Sequence, residues 1–206
     1  MLLINEIIST ILQILIFTAI PFFVYLITKR RIKGFFDYIG LRKPTARAMT
    51  YAAVCALAFV LPGLLLVYFS PGILEAVTAP NTVIGKLRAN GLSTTTFIAL
   101  ILKSLIQTSL TEEILFRGFV AKRLIDWLGF TTGNLLQAIL FGAVHLLIFA
   151  GQEFSLVLAV GVVFFPGLAG WIFGYLNERV GNGSILPGWL MHGLTNLIAY
   201  SALLLA

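Results

Sequence analysis

Glu112 and Glu113 stand side by side in a stretch apolar enough to cross a membrane, and the chain's two histidines, His145 and His192, stand in two later stretches of the same kind. An ionisable group at bilayer depth costs on the order of several kcal/mol, so such groups face a bundle interior or a wet cavity and mark function. Two carboxylates and two imidazoles are a set suited to activating water, by general-base catalysis or on a metal ion.

Spacing divides the work between the two acids. Glu113 and Arg117 are four residues apart, on one helical face, so the guanidinium can neutralise Glu113 and keep it ionised. Glu112 points about 100° away and has no intrahelical counter-ion. A free carboxylate in apolar surroundings is the one suited to take a proton as a general base. Glu112 is therefore expected to do chemistry, and Glu113 with Arg117 to form a scaffold. His192 and Asn196, also four apart, make a donor pair for an oxyanion. Gly142 and Gly193 leave room beside the histidines for another backbone. Plainer readings compete: a glutamate pair also serves proton or ion transport, a membrane histidine often only packs, and Asn196 can simply bond a neighbouring helix.

Composition supplies the setting. Of 206 residues, 59% are hydrophobic and 11% charged, with a mean hydropathy of +1.01. A soluble domain is about 25% charged, so this chain reads as an integral membrane protein. The expected fold class is all-α, a multipass transmembrane helical bundle of about six spanning helices. The net charge of +6 is read as topological, because Lys and Arg collect in cytoplasmic loops. The expected partner is the lipid bilayer, with no nucleic acid. The one cysteine, Cys55, excludes an internal disulfide and reads as a small core or lipid-facing residue. The first apolar run is too long for a signal-peptide core and lacks both basic residues ahead of it and a small-residue cleavage site, so it should stay as the first spanning helix.

About 20 apolar residues cross a bilayer. Helix one is expected over 7–28, helix two over 48–69, and a loop over 70–93 whose middle lies at the interface. Helix three should start near Thr94, capped by Ser93, and run to about Arg123. Helix four is expected over 133–150, helix five over 154–177, and helix six from about Ile185, with Pro187 in its first turn where no N–H is needed. Lys103, Glu112, Glu113 and Arg117 make helix three the least lipid-like. Gly170 and Gly174 form a GxxxG pair read as packing, with a kink at Pro166. Residues 1–93 are read as an N-terminal pair of helices and 94–206 as the catalytic core, in one compact domain. Alternate loops hold ten Lys and Arg (Lys29, Arg30, Arg31, Lys33, Arg42, Lys43, Arg47, Lys122, Arg123, Arg179) against two, Lys86 and Arg88, in the others. That bias puts the first loop in the cytoplasm and both termini outside.

Three motifs in series, Glu112-Glu113-xxx-Arg117, Phe141-xxx-His145 and His192-xxx-Asn196, resemble those of the CPBP family of intramembrane proteases. That family holds the type II CAAX prenyl endopeptidases and their bacterial relatives, also called the abortive-infection family. The resemblance covers about residues 94–200. It implies an endopeptidase in which Glu112 and His145 activate a water, His192 and Asn196 stabilise the oxyanion, and Glu113 and Arg117 support the site. The implied substrate is a peptide or membrane-protein segment, lipidated or amphipathic, cut near the cytoplasmic face. A prenylated substrate is not expected if the source is bacterial, and the short chain points to a bacterial cytoplasmic membrane.

Members of that family are often labelled metalloproteases. No HExxH or His-x-x-x-His spacing is present. Glu112, His145 and His192 can make a zinc site across helices, and a metal-free water activated by glutamate fits equally. Two other classes remain: a non-catalytic membrane immunity or binding protein of the same fold, and a small transporter using Glu112 for protons.

Overall fold

The computed structural model describes residues 2–149 and 156–205, and every regular element among them is helical. Five helical stretches are long and apolar enough to cross a membrane: Leu2–Lys29, Ala46–Tyr68, Thr94–Leu147, Ala159–Val180 and Leu186–Leu205. The third has 54 residues, roughly 80 Å at 1.5 Å per residue, far more than the ~30 Å of a hydrocarbon core. It is two helices joined at Gly129, whose φ of 75° and ψ of 165° are essentially closed to residues with a Cβ. The chain folds back on itself there. A Cβ on Gly133 would stand 2.5 Å from the amide nitrogen of Ile125, and the Phe116 and Phe141 rings meet at 5.1 Å. The hairpin brings the number of spanning helices to six.

In chain order the elements are α1 (Leu2–Lys29), α2 (Phe35–Tyr38), α3 (Ala46–Tyr68), α4 (Pro71–Thr78), α5 (Val83–Ala89), α6 (Thr94–Ile101), α7 (Lys122–Val144), α8 (Leu156–Tyr175) and α9 (Leu186–Leu205). Between α6 and α7 the helix continues through two π-helical segments, Leu102–Leu110 and Glu113–Ala121. A 3-10 turn, His145–Phe149, follows α7. Ser93 caps α6 by accepting the Thr96 N–H, as expected, and Thr45 and Thr82 cap α3 and α5 likewise. Two expectations are corrected. The interval 70–93 is not a loop but largely the two short helices α4 and α5, started by Pro71 and by the Thr82 cap. Helix three does not stop at Arg123, because nothing before Gly129 breaks its winding. The expected end of helix four at Ala150 and start of helix five at Phe154 lie outside the described residues.

The α7 and α8 backbones approach closely. A Cβ on Gly142 would run into the Val163 carbonyl, and one on Gly167 would lie 3.2 Å from the Ala138 carbonyl. The Gly170–Gly174 pair packs as expected, but against side chains: Arg117 and Phe141 at Gly170, Asn134 and Gln137 at Gly174. The outer face of α1 is a row of exposed Ile and Leu, including Ile8, Ile11, Leu15 and Ile16, a surface that only lipid or another apolar face covers well.

The two ends of the bundle are tied differently. At one end Lys122 donates to Glu178 (2.6 Å) and to the Gly183 carbonyl (2.8 Å). There too Ser184 donates to the Arg42 carbonyl (2.7 Å) and Thr45 to that of Val180 (2.9 Å), so the first basic loop meets the α8–α9 connection. At the other end Arg88 donates to the Leu203 carbonyl and Leu2 packs with Leu87, Leu100 and Leu204. Both chain ends therefore lie opposite the basic loop.

Candidate active site

Glu112 lies between the two π segments, and Glu113 opens the second. π-winding is rare and concentrates at functional sites. Here it flanks the one place where two adjacent carboxylates must face different surroundings.

Glu113 faces inward and is wholly buried, as is Arg117. Arg117 Nη1 sits 3.0 Å from Glu113 Oε1. The guanidinium carbon lies 3.8 Å from the centroid of the Phe141 ring and 4.8 Å from that of Phe173, so the cation is held by two aromatic faces as well as by its carboxylate. Gly170 makes this possible, since a Cβ there would stand 2.8 Å from Arg117 Nη2. Gly188 plays the same part on α9, where a Cβ would lie 2.6 Å from Glu113 Oε2. The Gly188 N–H donates to buried Asn177 at 2.7 Å, which pins the start of α9 against the acid.

The same Glu113 Oε1 accepts from His192 Nδ1 at 3.3 Å. The His192 ring is stacked on Phe173 at 5.1 Å, so its plane is fixed and its other nitrogen, Nε2, is turned toward Glu112 Oε2 at 3.9 Å. That Glu112 oxygen is buried with no hydrogen-bond partner. The two acids thus have different surroundings: Glu113 is held by Arg117 and His192, and Glu112 has His192 Nε2 at 3.9 Å and no hydrogen bond to its Oε2.

His145 reaches the site from the end of α7. Its Nδ1 donates to the Phe141 carbonyl at 2.7 Å, which sets the tautomer of the neutral ring and leaves Nε2 as the acceptor. The Phe141 ring stands edge-on to His145 at 4.8 Å. Asn196, one turn after His192, donates to Ser109 Oγ at 3.2 Å, and Ser109 donates to the Ser104 carbonyl at 2.6 Å. One hydrogen of the Asn196 amide is so engaged and the other remains to be used.

Glu112, His145, His192 and Asn196 all line one cavity of about 340 Å³. Thr82, Thr108, Thr195 and Tyr200 complete its polar wall, and Phe59, Ile73, Val162 and Phe165 are among its apolar lining. Sequence reasoning passed over Asn177, Phe173, Ser109, Thr195 and Tyr200. Asn177 alone carried a signal, as an amide at the end of an apolar run. Phe173 is one of 17 phenylalanines, and nothing in its spacing marks it.

The arrangement can hold a water between a free carboxylate and an imidazole acceptor, with an amide and a second imidazole nearby as donors. Among the described residues no group of three or more His, Cys, Asp or Glu side chains is placed to hold an ion. Glu112, His145 and His192 line the same cavity.

A family model described as "Type II CAAX prenyl endopeptidase Rce1-like" matches residues 94–198. That interval contains all seven motif residues, from Glu112 to Asn196. No curated protein and no solved structure matches the chain.

Proposed function

Because the chain belongs to the type II CAAX prenyl endopeptidase Rce1-like family, we propose that it is an intramembrane endopeptidase in which Glu112 is the general base. The family supports CAAX-type intramembrane protease activity in general. The finer reading rests on one observation. Side chains from three helices, Glu112, His145 and the His192–Asn196 pair, line a single cavity, and the buried Glu112 Oε2 has no hydrogen-bond partner.

In this reading a water sits between Glu112 and His145 Nε2. Glu112 takes its proton as the oxygen attacks the scissile carbonyl carbon, and later returns it to the departing amine nitrogen. Negative charge that develops on the carbonyl oxygen meets the free amide hydrogen of Asn196 and His192 Nε2, which donates when the ring carries its second proton. Glu113 holds the other side of that ring, so the donor does not have to reorganise. Arg117 pairs with Glu113 and holds it in place. The substrate is a peptide or membrane-protein segment.

Replacement of Glu112 by Gln tests this directly. Comparative peptidomics of membranes carrying the wild type or Glu112→Gln is expected to reveal peptides made only by the wild type. Purified Glu112→Gln should cut such peptides at least ~100-fold more slowly, the size of effect expected from removing a general base. Identical peptide profiles, or a biological effect that survives Glu112→Gln, would instead favour a membrane-bound binding or immunity protein.

A further inference from the structure

A second polar network lies outside the cavity, where α1 packs against the helix that carries Glu112. Glu6, Ser9 and Gln13 follow one another along a helix otherwise rich in exposed Ile and Leu. They face Lys103, Gln107 and Thr111 in parallel register. Lys103 Nζ pairs with Glu6 Oε2 at 2.5 Å and donates to Gln107 Oε1 at 3.2 Å. Gln107 Nε2 donates to Ser9 Oγ at 2.7 Å. Gln13 Nε2 donates to the backbone carbonyl of Gln107 at 2.9 Å and to Thr111 Oγ1 at 3.1 Å.

The last of these contacts differs in kind from the others. Glu6, Lys103 and Ser9 bond side chain to side chain and so join two helices, and each such bond contributes little to association in a membrane. Gln13 bonds a main-chain carbonyl. That carbonyl lies inside the first π segment, one wide turn before Glu112, and Thr111 Oγ1 also donates to it, at 2.5 Å. A side chain inserted into a helical ladder is one of the few causes that change a helix's local direction. Winding at Gln107–Thr111 decides whether residue 112 faces the cavity or α1.

We propose that Gln13 is a positioning residue for Glu112, acting through the Gln107 carbonyl and Thr111. This makes the first helix, which lies outside the family-matched interval, part of the site's support. The proposal rests on the reading of Glu112 as the base, but its test needs no substrate. A Cys55→Ser, Glu112→Cys protein is purified in detergent, and the rate at which its single thiol reacts with 2-aminoethyl methanethiosulfonate is measured. Adding Gln13→Met, which keeps the side chain's length, should change that rate at least fivefold. In a separate Cys55→Ser, Thr195→Cys reporter, whose thiol lines the same cavity from α9, Gln13→Met should leave the rate within twofold. Thr111→Val should reproduce the effect at position 112, and the two changes together should add little. Should Gln13→Met fail to fold, Thr111→Val makes the same test alone.

The paired change Glu6→Gln, Lys103→Met separates positioning from docking. It breaks the outer part of the network, so it should lower the unfolding temperature yet leave the labelling rate at position 112 within twofold. An unchanged rate at position 112 in Gln13→Met would overturn the proposal. So would equal shifts at positions 112 and 195, or an equal shift from the Glu6/Lys103 pair. Failure of the general-base reading shows elsewhere, as proteolysis that survives Glu112→Gln.

Discussion

Arg117 is the residue on which the candidate site depends most, although it stands behind the chemistry rather than in it. It is buried among Glu113, Phe141 and Phe173, and His192 is oriented by the same carboxylate. Arg117→Met removes the partner of a buried charge, a change that costs about 3–5 kcal/mol. Thermal unfolding in detergent should show a large drop in midpoint, accompanied by loss of activity. Arg117→Lys keeps the charge without the planar group that stacks on two rings, so it should recover part of the stability. At the same scale, no three donor side chains are clustered for an ion among the described residues. Cleavage is expected to persist after exhaustive treatment with 1,10-phenanthroline. Loss of cleavage restored by zinc would turn Glu112, His145 and His192 into metal ligands.

Two glycines decide how the helices meet. Gly129 turns the chain back so that α7 can carry His145 toward Glu112, in a conformation that a side chain resists. A Cβ there meets nothing within 4 Å, so Gly129→Ala costs only backbone strain, about 1–3 kcal/mol, and should lower the unfolding midpoint while sparing most of the activity. Gly142, one turn before His145, is the opposite case. Its Cβ would run into the Val163 carbonyl, so Gly142→Ala must push α7 away from α8. Activity should fall more steeply than stability in that variant, and kinetics beside unfolding curves of the two proteins check the contrast.

For the whole molecule, the decisive feature is its polarity along the bundle axis. The basic first loop and the Lys122–Glu178 tie share one end, while Leu2 and Leu204 share the other with Arg88. Lys and Arg favour the cytoplasmic side, so both termini are expected outside. An alkaline phosphatase fused after Ala206 should be active in a bacterial host, and a green fluorescent protein fused there should stay dark. The reverse pattern would invert the bundle in the membrane.

Membrane character, the helical class, the number of spans and the identity of the polar residues were all legible in the chain. Each follows from local quantities: run length, hydropathy and charge against the thickness of a bilayer. The division between the two glutamates was legible too, because a spacing of four puts Arg117 beside Glu113 wherever the helix goes. What the chain alone could not decide was which helices touch. The stacking of Phe173 on His192, the room that Gly170 leaves for Arg117, the hold of Asn177 on Gly188 and the reach of Gln13 into the Glu112 helix are contacts between separate helices, from 11 to 98 positions apart. Helical periodicity says which face a residue occupies but not which neighbour that face will meet. Crossing geometry and close approach at small residues settle the neighbour, and those exist only once the helices are packed.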